Sequence, residues 1–555
     1  MLAKHILKRA ALLSLIPVFA LASCARQTGD RPASNALVLR WTFSTGIADW
    51  ANAAAVDFNS RSIQASDGRP IWVEASAADA GQAVSDMVGG QPLPELWTTA
   101  DPTWREVLHQ EAGNPYFLPN CISVAESPLV IAMWEPVARA LGWPGRTLGW
   151  LDVASLAADP TAWAYYSGGE WGQTLRIGHA HPGLSDSGTH TLLALVYAAQ
   201  ASPAQIGVED VQDPIVQASV GAFESAVSWF SPDTRLLGNT MLDRGITYLN
   251  AAVVYENAVI SQGARDPRLV AIYPFEGTFV ATYPTCVRAD MDEVTTGAAE
   301  TFLAYLTDVP AQQRALEYGL RPVNDAVPLG SPIDEAHGAD PQQPGRVFAP
   351  SAAGTVFAIQ DLWQAQRRDV NLAMVLDISG SMEGAKINQV RLSAIEFVRQ
   401  MGADDRLTVI VFHDFPQVLV PNQRVGDNRD AIISRINTIT AGGGTSLYDS
   451  IAFTAEDLLK TRRSDTSNAM VVLSDGQDTA SQHYTSADDP AFTQVLQASG
   501  ATVYTIAYGE DAADEVLQRI ALTTNGIFYE GDVATIADIY AQISAAFGGS
   551  LGIGR

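Results

Sequence analysis

The sequence contains little cysteine and few basic residues, and each shortage excludes classes of protein. Three cysteines in 555 residues are too few for a disulfide-stapled scaffold and too dispersed for a zinc cluster. Only 34 basic residues accompany 61 acidic ones, so the formal net charge is -27 and bulk nucleic-acid binding is disfavoured. The 44 Gly and 29 Pro are scattered and no repeat occurs, which excludes collagen-like, coiled-coil and disordered chains. With 47% hydrophobic residues, a chain of this length can bury more than one core.

Sequence motifs for catalysis are also missing. No H-E-x-x-H, Walker loop or dinucleotide glycine fingerprint occurs in the sequence. The pattern G-x-S-x-G does occur around Ser550, but it follows a predicted helix rather than a strand, so the context of a nucleophile elbow is absent. We therefore expect a binding protein rather than an enzyme.

The chain begins with a basic segment and a short apolar run. Lys4, Lys8 and Arg9 precede the apolar residues 10–22. About thirteen apolar residues are fewer than the roughly 20 that a membrane-spanning helix needs. The pattern is typical of a secretory signal peptide over residues 1–23.

The end of this segment resembles the lipobox of bacterial lipoproteins, Leu21-Ala22-Ser23-Cys24. The resemblance implies that Cys24 is acylated and becomes the first residue of the mature protein. An ordinary cleavage site beside a chance cysteine is the alternative. We expect a protein anchored by lipid alone, at the outer face of the cytoplasmic membrane or in the periplasm or outer membrane, with residues 24–34 as a flexible leader.

Cys121 and Cys286 remain as a pair in an oxidising compartment. Each lies in a short, extended-looking segment. A bridge between them would close a long loop and contribute about 4–5 kcal/mol on the chain-entropy model. Two buried, reduced thiols are the alternative. We predict the disulfide.

The pattern of the chain changes near residue 324. Pro and Gly recur from there to about residue 351, which predicts a surface connection within a linker over residues 324–369. Before it, residues 35–323 are mixed α/β and irregular. After it, residues 370–548 alternate apolar runs with amphipathic stretches, which predicts a parallel, doubly wound sheet, and residues 549–555 form a tail. The predicted strands of that sheet include residues 372–376, 407–412, 469–473 and 503–508.

Oxygen-bearing side chains lie in three segments next to predicted strands or helices. Asp377, Ser379 and Ser381 come directly after the first apolar strand, Thr445 stands in a glycine-rich turn, and Asp475 ends another apolar strand. Loops at the carboxyl ends of parallel strands converge in one crevice. Oxygen ligands of low charge suit Mg²⁺, with Mn²⁺ or Ca²⁺ as alternatives, better than Zn²⁺. Loop-capping aspartates and ordinary turn serines are the structural alternative.

These segments resemble the metal-ion-dependent adhesion site, or MIDAS, of von Willebrand factor type A (VWA) domains. The resemblance covers the predicted domain 370–548 and all five positions. It implies that the two serines bind the metal directly, the threonine directly or through water, and the two aspartates mainly through water or hydrogen bonds. Asp449 is a weaker candidate of the last kind. The resemblance also implies that a Glu or Asp of a partner protein completes the coordination sphere.

The segment 35–323 resembles bacterial extracellular solute-binding proteins, which have two lobes and a hinge. Several short sequence segments carry the resemblance, among them Ser127–Met133, His181–Gly188 and Ile272–Thr278. In such a fold a small-molecule or peptide ligand is enclosed between the lobes, and a disulfide between strands passing from lobe to lobe would brace the hinge. The residues that the resemblance favours for the cleft are Trp97, Ser127, Trp171, Ser185, Ser187 and Tyr255. Core packing or helix capping is the alternative for each of them.

His179 and His181 also lie in this segment, in His-Ala-His. They match no familiar metal-ligand spacing, so we interpret them as surface or cleft polar residues. The whole sequence predicts an exported, lipid-anchored binding protein with a solute cleft and a metal-dependent docking site. A receptor of an ABC-type importer with an accessory VWA module is the main alternative. An adhesive protein with a vestigial cleft is another.

Overall fold

The computed structural model describes residues 32–201, 203–263, 265–463 and 466–549. The predicted signal peptide, the lipidation residue Cys24, most of the leader, Ser550 and nearly all of the tail lie outside the described residues. No helix in the described part of the chain is long and apolar enough to cross a membrane.

The chain first forms most of one lobe, in which strands alternate with helices. The elements are β1 (Leu37–Phe43), α1 (Ala48–Ser60), β2 (Ile71–Ala77), α2 (Ala80–Val88), β3 (Leu96–Thr98), α3 (Thr103–Ala112) and β4 (Ile122–Ser123). Every second residue of β1 is buried, so one face of this strand is core. Trp41 on that face contacts Phe302 at 5.1 Å between ring centroids, and Phe58 of α1 contacts the same ring at 4.9 Å.

The second lobe follows after residues 124–126. Its elements are β5 (Ser127–Trp134), α4 (Glu135–Ala140), α5 (Trp150–Ala158), α6 (Pro160–Ser167), β6 (Ile177–Ala180), α7 (Asp186–Ala199), α8 (Val208–Val211), α9 (Pro214–Glu224), β7 (Val227–Ser231), α10 (Thr234–Arg244), β8 (Ala251–Tyr255), α11 (Glu256–Ile260), β9 (Leu269–Ile272) and β10 (Val280–Ala281). The sheet order is β5-β8-β6-β7, with β9 and β10 both paired to the free side of β5. Strand β5 is buried along its whole length, which explains its unbroken apolar run.

The chain then returns to the first lobe and adds β11 (Pro284–Val287), α12 (Glu293–Leu306) and α13 (Val309–Glu317). The first sheet has the order β2-β1-β3-β11-β4. Strands β1, β2 and β3 are parallel, whereas β11 is antiparallel to both of its neighbours. The predicted two-lobed α/β fold is therefore confirmed.

A disulfide joins Cys121 to Cys286, as predicted, across 165 residues of sequence. Cys286 lies in β11 and Cys121 directly precedes β4, and these two strands are paired. The expectation that the cysteines lie on strands between the lobes is wrong, because both belong to the first lobe. The interlobe segment 124–126 begins three residues after Cys121, and the segment 282–283 ends three residues before Cys286, so the bridge joins the two strands that lie next to these interlobe segments.

The predicted linker packs against the N-terminal domain instead of forming an exposed connection. Val327, Ile333 and Phe348 are buried, although the segment 324–352 has no strand or α-helix. It leads into α14 (Ala353–Gln366), which contacts α3 of the first lobe and α7, α8 and α9 of the second. Helix α14 therefore spans both lobes.

The C-terminal domain is a doubly wound sheet in the order β14-β13-β12-β15-β16-β17. Its elements are β12 (Val370–Asp377), α15 (Ala385–Gln400), β13 (Arg406–Phe412), β14 (Pro416–Arg424), α16 (Val425–Ile436), α17 (Leu447–Thr461), β15 (Ser467–Ser474), α18 (Pro490–Ser499), β16 (Thr502–Tyr508), α19 (Asp514–Thr523), β17 (Phe528–Gly531) and α20 (Ile536–Ala546). All neighbouring strands are parallel except β13 and β14. Successive residues of β12 enter cores on opposite faces, Met374 one and Val375 the other, so the predicted parallel sheet is confirmed.

The two domains meet at the start of β12. Arg367, just after α14, forms a buried ion pair with Asp405 at 3.1 Å, and the same carboxylate accepts from the backbone N–H of Val370 at 2.9 Å. Nearby, the ring of Trp363 in α14 lies 4.6 Å from the ring of His181 in the second lobe. The junction thus fixes the C-terminal sheet to the second lobe through α14.

His181 itself joins the two domains, so its interpretation as a surface or cleft residue is wrong. It is fully buried, its Nε2 donates to the carbonyl of Gly549 at 2.8 Å, and its Nδ1 accepts from the N–H of Gly183 at 3.0 Å. This pattern requires the neutral ring. Burial lowers the pKa of His181 to about 3.

We expect removal of the disulfide to destabilise the N-terminal domain by about 4–5 kcal/mol, because the unfolded chain then regains the freedom of a long loop. The test compares the Cys24→Ser protein with two variants of it, one carrying Cys121→Ser and the other Cys286→Ser. The free energy of unfolding of each protein is measured by urea denaturation. Thiol counting on the denatured, unreduced Cys24→Ser protein should give no free thiols before reduction and two afterwards. Two free thiols before reduction would contradict the bridge.

We expect His181 to make the domain junction sensitive to acid. The unfolded histidine binds its proton near pH 6.5, whereas the folded one does not until about pH 3. Its contribution is therefore complete above about pH 6.5 and is lost as the pH falls, by about 1.4 kcal/mol per pH unit. We expect the difference in the free energy of unfolding between wild type and His181→Gln, measured by denaturation at pH 7, 6 and 5, to shrink as the pH falls. His483→Gln, whose side chain is 81% exposed, is the control. Parallel losses in wild type and His181→Gln would contradict the expectation.

Candidate functional site

The predicted metal residues converge at the carboxyl ends of β12 and β15, which are adjacent and parallel. Asp377 ends β12 and is buried. Its Oδ1 accepts from the backbone N–H of Ser379 at 2.8 Å, and its Oδ2 accepts from the hydroxyl of Ser474 at 2.6 Å. Burial raises the pKa of the Asp377 carboxyl. Asp377 thus holds the two loops together through Ser379 and Ser474.

The hydroxyls of the first loop continue toward the second aspartate. The Oγ atoms of Ser379 and Ser381 lie 3.1 Å apart, and the Ser381 hydroxyl donates to Oδ1 of Asp475 at 2.7 Å. The other oxygen of Asp475 accepts from the ammonium of Lys386 at 2.5 Å. Asp475 is buried while the Lys386 side chain is 28% exposed, so the lysine reaches in from the rim.

The third loop is attached to the first by backbone hydrogen bonds. The N–H of Gly380 donates to the carbonyl of Gly443 at 3.0 Å, and the N–H of Gly442 donates to the carbonyl of Ile378 at 2.8 Å. A side-chain carbon placed on Gly476 would lie 3.9 Å from the hydroxyl oxygens of both Ser381 and Thr445. All five predicted residues are therefore brought together around one point.

The donor chemistry fits a hard divalent cation. The residues present are two carboxylates and three hydroxyls, all oxygen donors of the kind that Mg²⁺ and Mn²⁺ prefer. Throughout the described ranges no group of three or more His, Cys, Asp or Glu side chains is arranged to hold a metal ion, so the site depends on its neutral hydroxyls. Lys386 places a positive charge on Asp475 that competes with any cation for that carboxylate.

Sequence reasoning missed three residues of this site. Ser474 and Lys386 are described above, and Asp414 accepts from the backbone N–H of Gly444 at 2.9 Å, which fixes the glycine-rich turn. Lys386 has a recognisable signal, because it lies five residues beyond Ser381 at the start of the following helix. Asp414 follows β13 and belongs to the same edge of the sheet.

Asp449 has a different role from the one that the sequence suggests. Its carboxylate accepts from the backbone N–H groups of Gln482 at 2.7 Å and of Tyr484 at 2.9 Å. Although burial raises the pKa of Asp449, these hydrogen bonds outweigh burial and lower it. Asp449 therefore orders the loop after β15, and no contact links it to the hydroxyls of the metal site among those described.

A second cluster lies between the lobes, around the carboxylate of Asp79. This residue directly precedes α2 in the first lobe and is 2% exposed. Its Oδ1 accepts from the hydroxyl of Ser44 at 3.3 Å and from the N–H and hydroxyl of Thr45 at 2.8 and 2.6 Å. Its Oδ2 accepts from the hydroxyl of Ser185, and from the N–H and hydroxyl of Thr234, both at 3.3 Å. Two of the three predicted cleft serines, Ser185 and Ser187, are here, since the Ser187 hydroxyl lies within hydrogen-bond distance of the Thr234 hydroxyl at 2.6 Å.

Two further buried carboxylates flank this cluster. Asp186 accepts from the backbone N–H of Ala100 at 3.1 Å, and burial, followed by the charges of Asp79 and Asp101, raises its pKa well above the usual range. Burial also raises the pKa of Asp101, but the contact with His190 outweighs it, so the net pKa of Asp101 is lowered. The cleft is thus closed by polar contacts between lobes.

Tyr255 and Ser127 lie beside this cluster, close to a cavity of about 380 Å³ between the lobes. Tyr255 lines the cavity, and Ser127 is hydrogen-bonded to Asn257, which lines it as well. Arg235 and Asp49 form an exposed ion pair at 2.7 Å on its wall. The cavity leads to Thr45 and Thr234, the residues that hold Asp79.

Trp97 and Trp171 do not line the cleft, so these two predictions are wrong. Trp97 is fully buried in β3, with its ring 5.4 Å from that of Phe117, because β3 is an inner strand of the first sheet. Trp171 packs beside Trp163 at 6.4 Å in the second lobe. His179 is not a cleft residue either, because it is fully buried and its Nε2 is 3.0 Å from a Glu224 oxygen.

Comparison with known proteins agrees with this architecture. Residues 39–321 match the family described as bacterial extracellular solute-binding protein, and residues 371–542 match the von Willebrand factor type A domain. The uncharacterized protein sll0103 of Synechocystis sp. is 29% identical over 161 residues, which are 29% of this chain and 37% of that protein. Inter alpha-trypsin inhibitor, heavy chain 4 of Mus musculus is 24% identical over 192 residues, 31% of this chain and 20% of that protein. The chain thus spans well under half the length of these relatives.

Two solved structures represent the two halves. The sulfate-binding protein SubI from Mycobacterium tuberculosis H37Rv is 17% identical with a TM-score of 0.40, covering 56% of this chain and 93% of that chain. A von Willebrand factor type A protein from Catenulispora acidiphila is 22% identical with a TM-score of 0.29, covering 32% of this chain and 42% of that chain. Because the first family match spans just over half of the sequence, the protein belongs to the bacterial extracellular solute-binding proteins, and it carries a von Willebrand factor type A domain behind that module.

Proposed function

We propose that this protein is an exported, lipid-anchored binding protein that docks a protein partner through a divalent metal held by its VWA domain. VWA domains commonly bind a divalent metal at a MIDAS, and they mediate protein interactions. The observation that carries the proposal is the convergence of five oxygen-bearing side chains at one edge of the C-terminal sheet. The activity is binding, with no catalytic step.

The residues divide the work around the metal in a simple way. Ser379, Ser381 and Thr445 supply neutral oxygens, and the buried carboxylates of Asp377 and Asp475 orient those hydroxyls and offset the charge. When bound, the metal supplies an electrophilic centre that a partner carboxylate can complete. The three hydroxyls are neutral, so they leave that centre short of negative charge, which favours an acidic partner residue.

The position of the site supports a docking role. Asp377 stands at the opposite end of β12 from the junction with the N-terminal domain, so the metal edge faces away from that domain. Phe415 follows β13 on the same edge and is 55% exposed. An exposed aromatic side chain beside a charged centre is a common anchor at protein interfaces.

Export and anchoring are supported by two observations. The solute-binding family suggests an exported protein, and the segment that ends in Cys24 has the pattern of a lipoprotein signal. A double acyl anchor holds a protein on a bilayer without a spanning helix.

A solute receptor of an importer is the second candidate function, and the cavity between the lobes favours it. Its volume of about 380 Å³ is suited to a small molecule, and its walls carry Arg235, Asn239 and Asn257 as polar contacts. In that case the VWA domain is accessory. A small molecule that copurifies and occupies this cavity would support the receptor over the docking protein.

We expect Asp377→Ala to weaken Mg²⁺ or Mn²⁺ binding about 10–100-fold, because the hydroxyls lose the carboxylate that orients them. Ser381→Ala and Thr445→Ala should act in the same direction. Lys386→Gln should act in the opposite direction, with about tenfold tighter binding, since a like charge beside the ion is removed. Calorimetric titration of both metals into the full chain measures these changes, with Asp404→Ala, at the far end of the sheet, as the control.

Equal metal affinity in wild type and Asp377→Ala would contradict the proposed metal site. The docking step is tested separately, by retention of envelope proteins on the immobilised full chain. Retention should require Mg²⁺, be lost with a chelator and in Asp377→Ala, and be weakened in Phe415→Ala without a change in metal affinity. A partner retained equally with and without metal would contradict metal-dependent docking.

We expect Cys24→Ala to abolish labelling by palmitate and to release the protein from the membrane fraction, because the acyl anchor is lost. The disulfide-bonded cysteines give a built-in control, since Cys121→Ser should stay labelled. Labelling that persists in Cys24→Ala would contradict the lipid anchor.

A further inference from the structure

The inner end of the interlobe cleft contains hydrogen-bond donors from three separate segments. The first lobe contributes Ser44 and Thr45, which follow β1. The second lobe contributes Ser185, which directly precedes α7, and Thr234, which is the first residue of α10. Together they direct two backbone N–H groups and four hydroxyls at one pair of oxygens. Such a set of neutral donors, withdrawn from water, is what a small oxyanion requires.

The oxygens at this point belong to the chain itself, because they are the carboxylate of Asp79. Aspartate directly before a helix ordinarily accepts from the first backbone N–H groups of that helix. Asp79 makes no such bond to α2, and its side chain extends into the cleft instead. Its two oxygens are divided between the lobes, Oδ1 toward Ser44 and Thr45 and Oδ2 toward Ser185 and Thr234. The carboxylate is therefore a bridge between lobes rather than a helix cap.

The backbone around Asp79 fixes it in this position. The N–H of Gln82 donates to the carbonyl of Leu184 in the second lobe at 2.9 Å. A side-chain carbon on Gly81 would lie 2.3 Å from the carbonyl oxygen of Gly183, so only glycine permits this approach. The start of α2 is thus in direct contact with the loop that carries Ser185.

We propose that Asp79 is a built-in occupant of the anion position of the cleft, so that the lobes are closed around the chain's own carboxylate and a free carboxylate or other small oxyanion enters only when this side chain is removed. The inference goes beyond metal-dependent docking and does not rest on it. If the protein is a solute receptor, this inference confines its solute to the outer cavity, because Asp79 occupies the inner position.

The closed cleft has a consequence for the C-terminal domain. The loop from His181 to Ser185 contacts Asp79 at one end and Gly549 at the other, and its Pro182 carbonyl accepts from the Gln360 side chain of α14 at 3.1 Å. Because Asp79 joins the lobes through its own carboxylate, this loop is held in place. The N-terminal domain then serves as a rigid support for the metal-binding edge.

The test is chemical rescue of Asp79→Ala in the full chain. We expect this variant to unfold several degrees below wild type, and sodium acetate or formate at about 100 mM to raise its midpoint by at least about 3 °C relative to sodium chloride. Wild type should not respond. Asp308→Ala removes an aspartate that does cap its own helix, α13, and should lose stability without rescue. Rescue that is absent in Asp79→Ala, or equal in all three proteins, would overturn the proposal.

A second measurement covers the case in which Asp79→Ala does not fold. Calorimetric titration of wild type with acetate, phosphate and sulfate should give no binding up to about 10 mM. Asp79→Asn keeps the shape of the side chain but loses its charge, and it should unfold below wild type. Binding of any of these anions to wild type with a dissociation constant below about 1 mM would overturn the proposal, as would an Asp79→Asn protein as stable as wild type.

Discussion

The convergence of loops at the carboxyl ends of parallel strands is the constraint on which both sites depend. A strand buried on both faces can place polar side chains only beyond its ends, and parallel neighbours place them at the same edge. In the C-terminal domain, β12 and β15 deliver Asp377 and Asp475 in this way. In the N-terminal domain, β1 delivers Ser44 and β7 delivers Thr234, and the two edges face each other across the cleft.

The protein buries several carboxyl groups, and the cost of burying each of them is offset in a different way. Asp405 pairs with the guanidinium of Arg367, and Asp79 accepts its hydrogen bonds from neutral donors. Asp186 has few donors and lies near Asp79 and Asp101, so burial and like charge raise its pKa and the neutral form is favoured. A protein with a net charge of -27 can keep such groups inside only because each oxygen has its own partner.

The two domains are connected by the loop from His181 to Ser185. Within five residues it contacts the C-terminal end of the VWA domain, the spanning helix α14 and the carboxylate of Asp79. The metal edge lies at the other end of β12, away from these contacts. The N-terminal domain therefore sets the orientation of the VWA domain without obstructing the edge that carries the metal residues.

The sequence by itself determined the elements whose signal is local. Unbroken apolar runs identified β5 and β12 because such strands are buried on both faces, and the spacing of Asp377, Ser379 and Ser381 identified the metal edge because a loop displays alternate residues on one side. Only the tertiary structure decided which polar residues are buried. The sequence predicts Trp97 in the cleft and His181 at the surface or in the cleft, yet one lies in the core and the other at the domain junction, since burial depends on which segments pack over them. Asp79 carries no signal in the sequence, and its role appears only when the second lobe brings Ser185 and Thr234 within reach of its carboxylate.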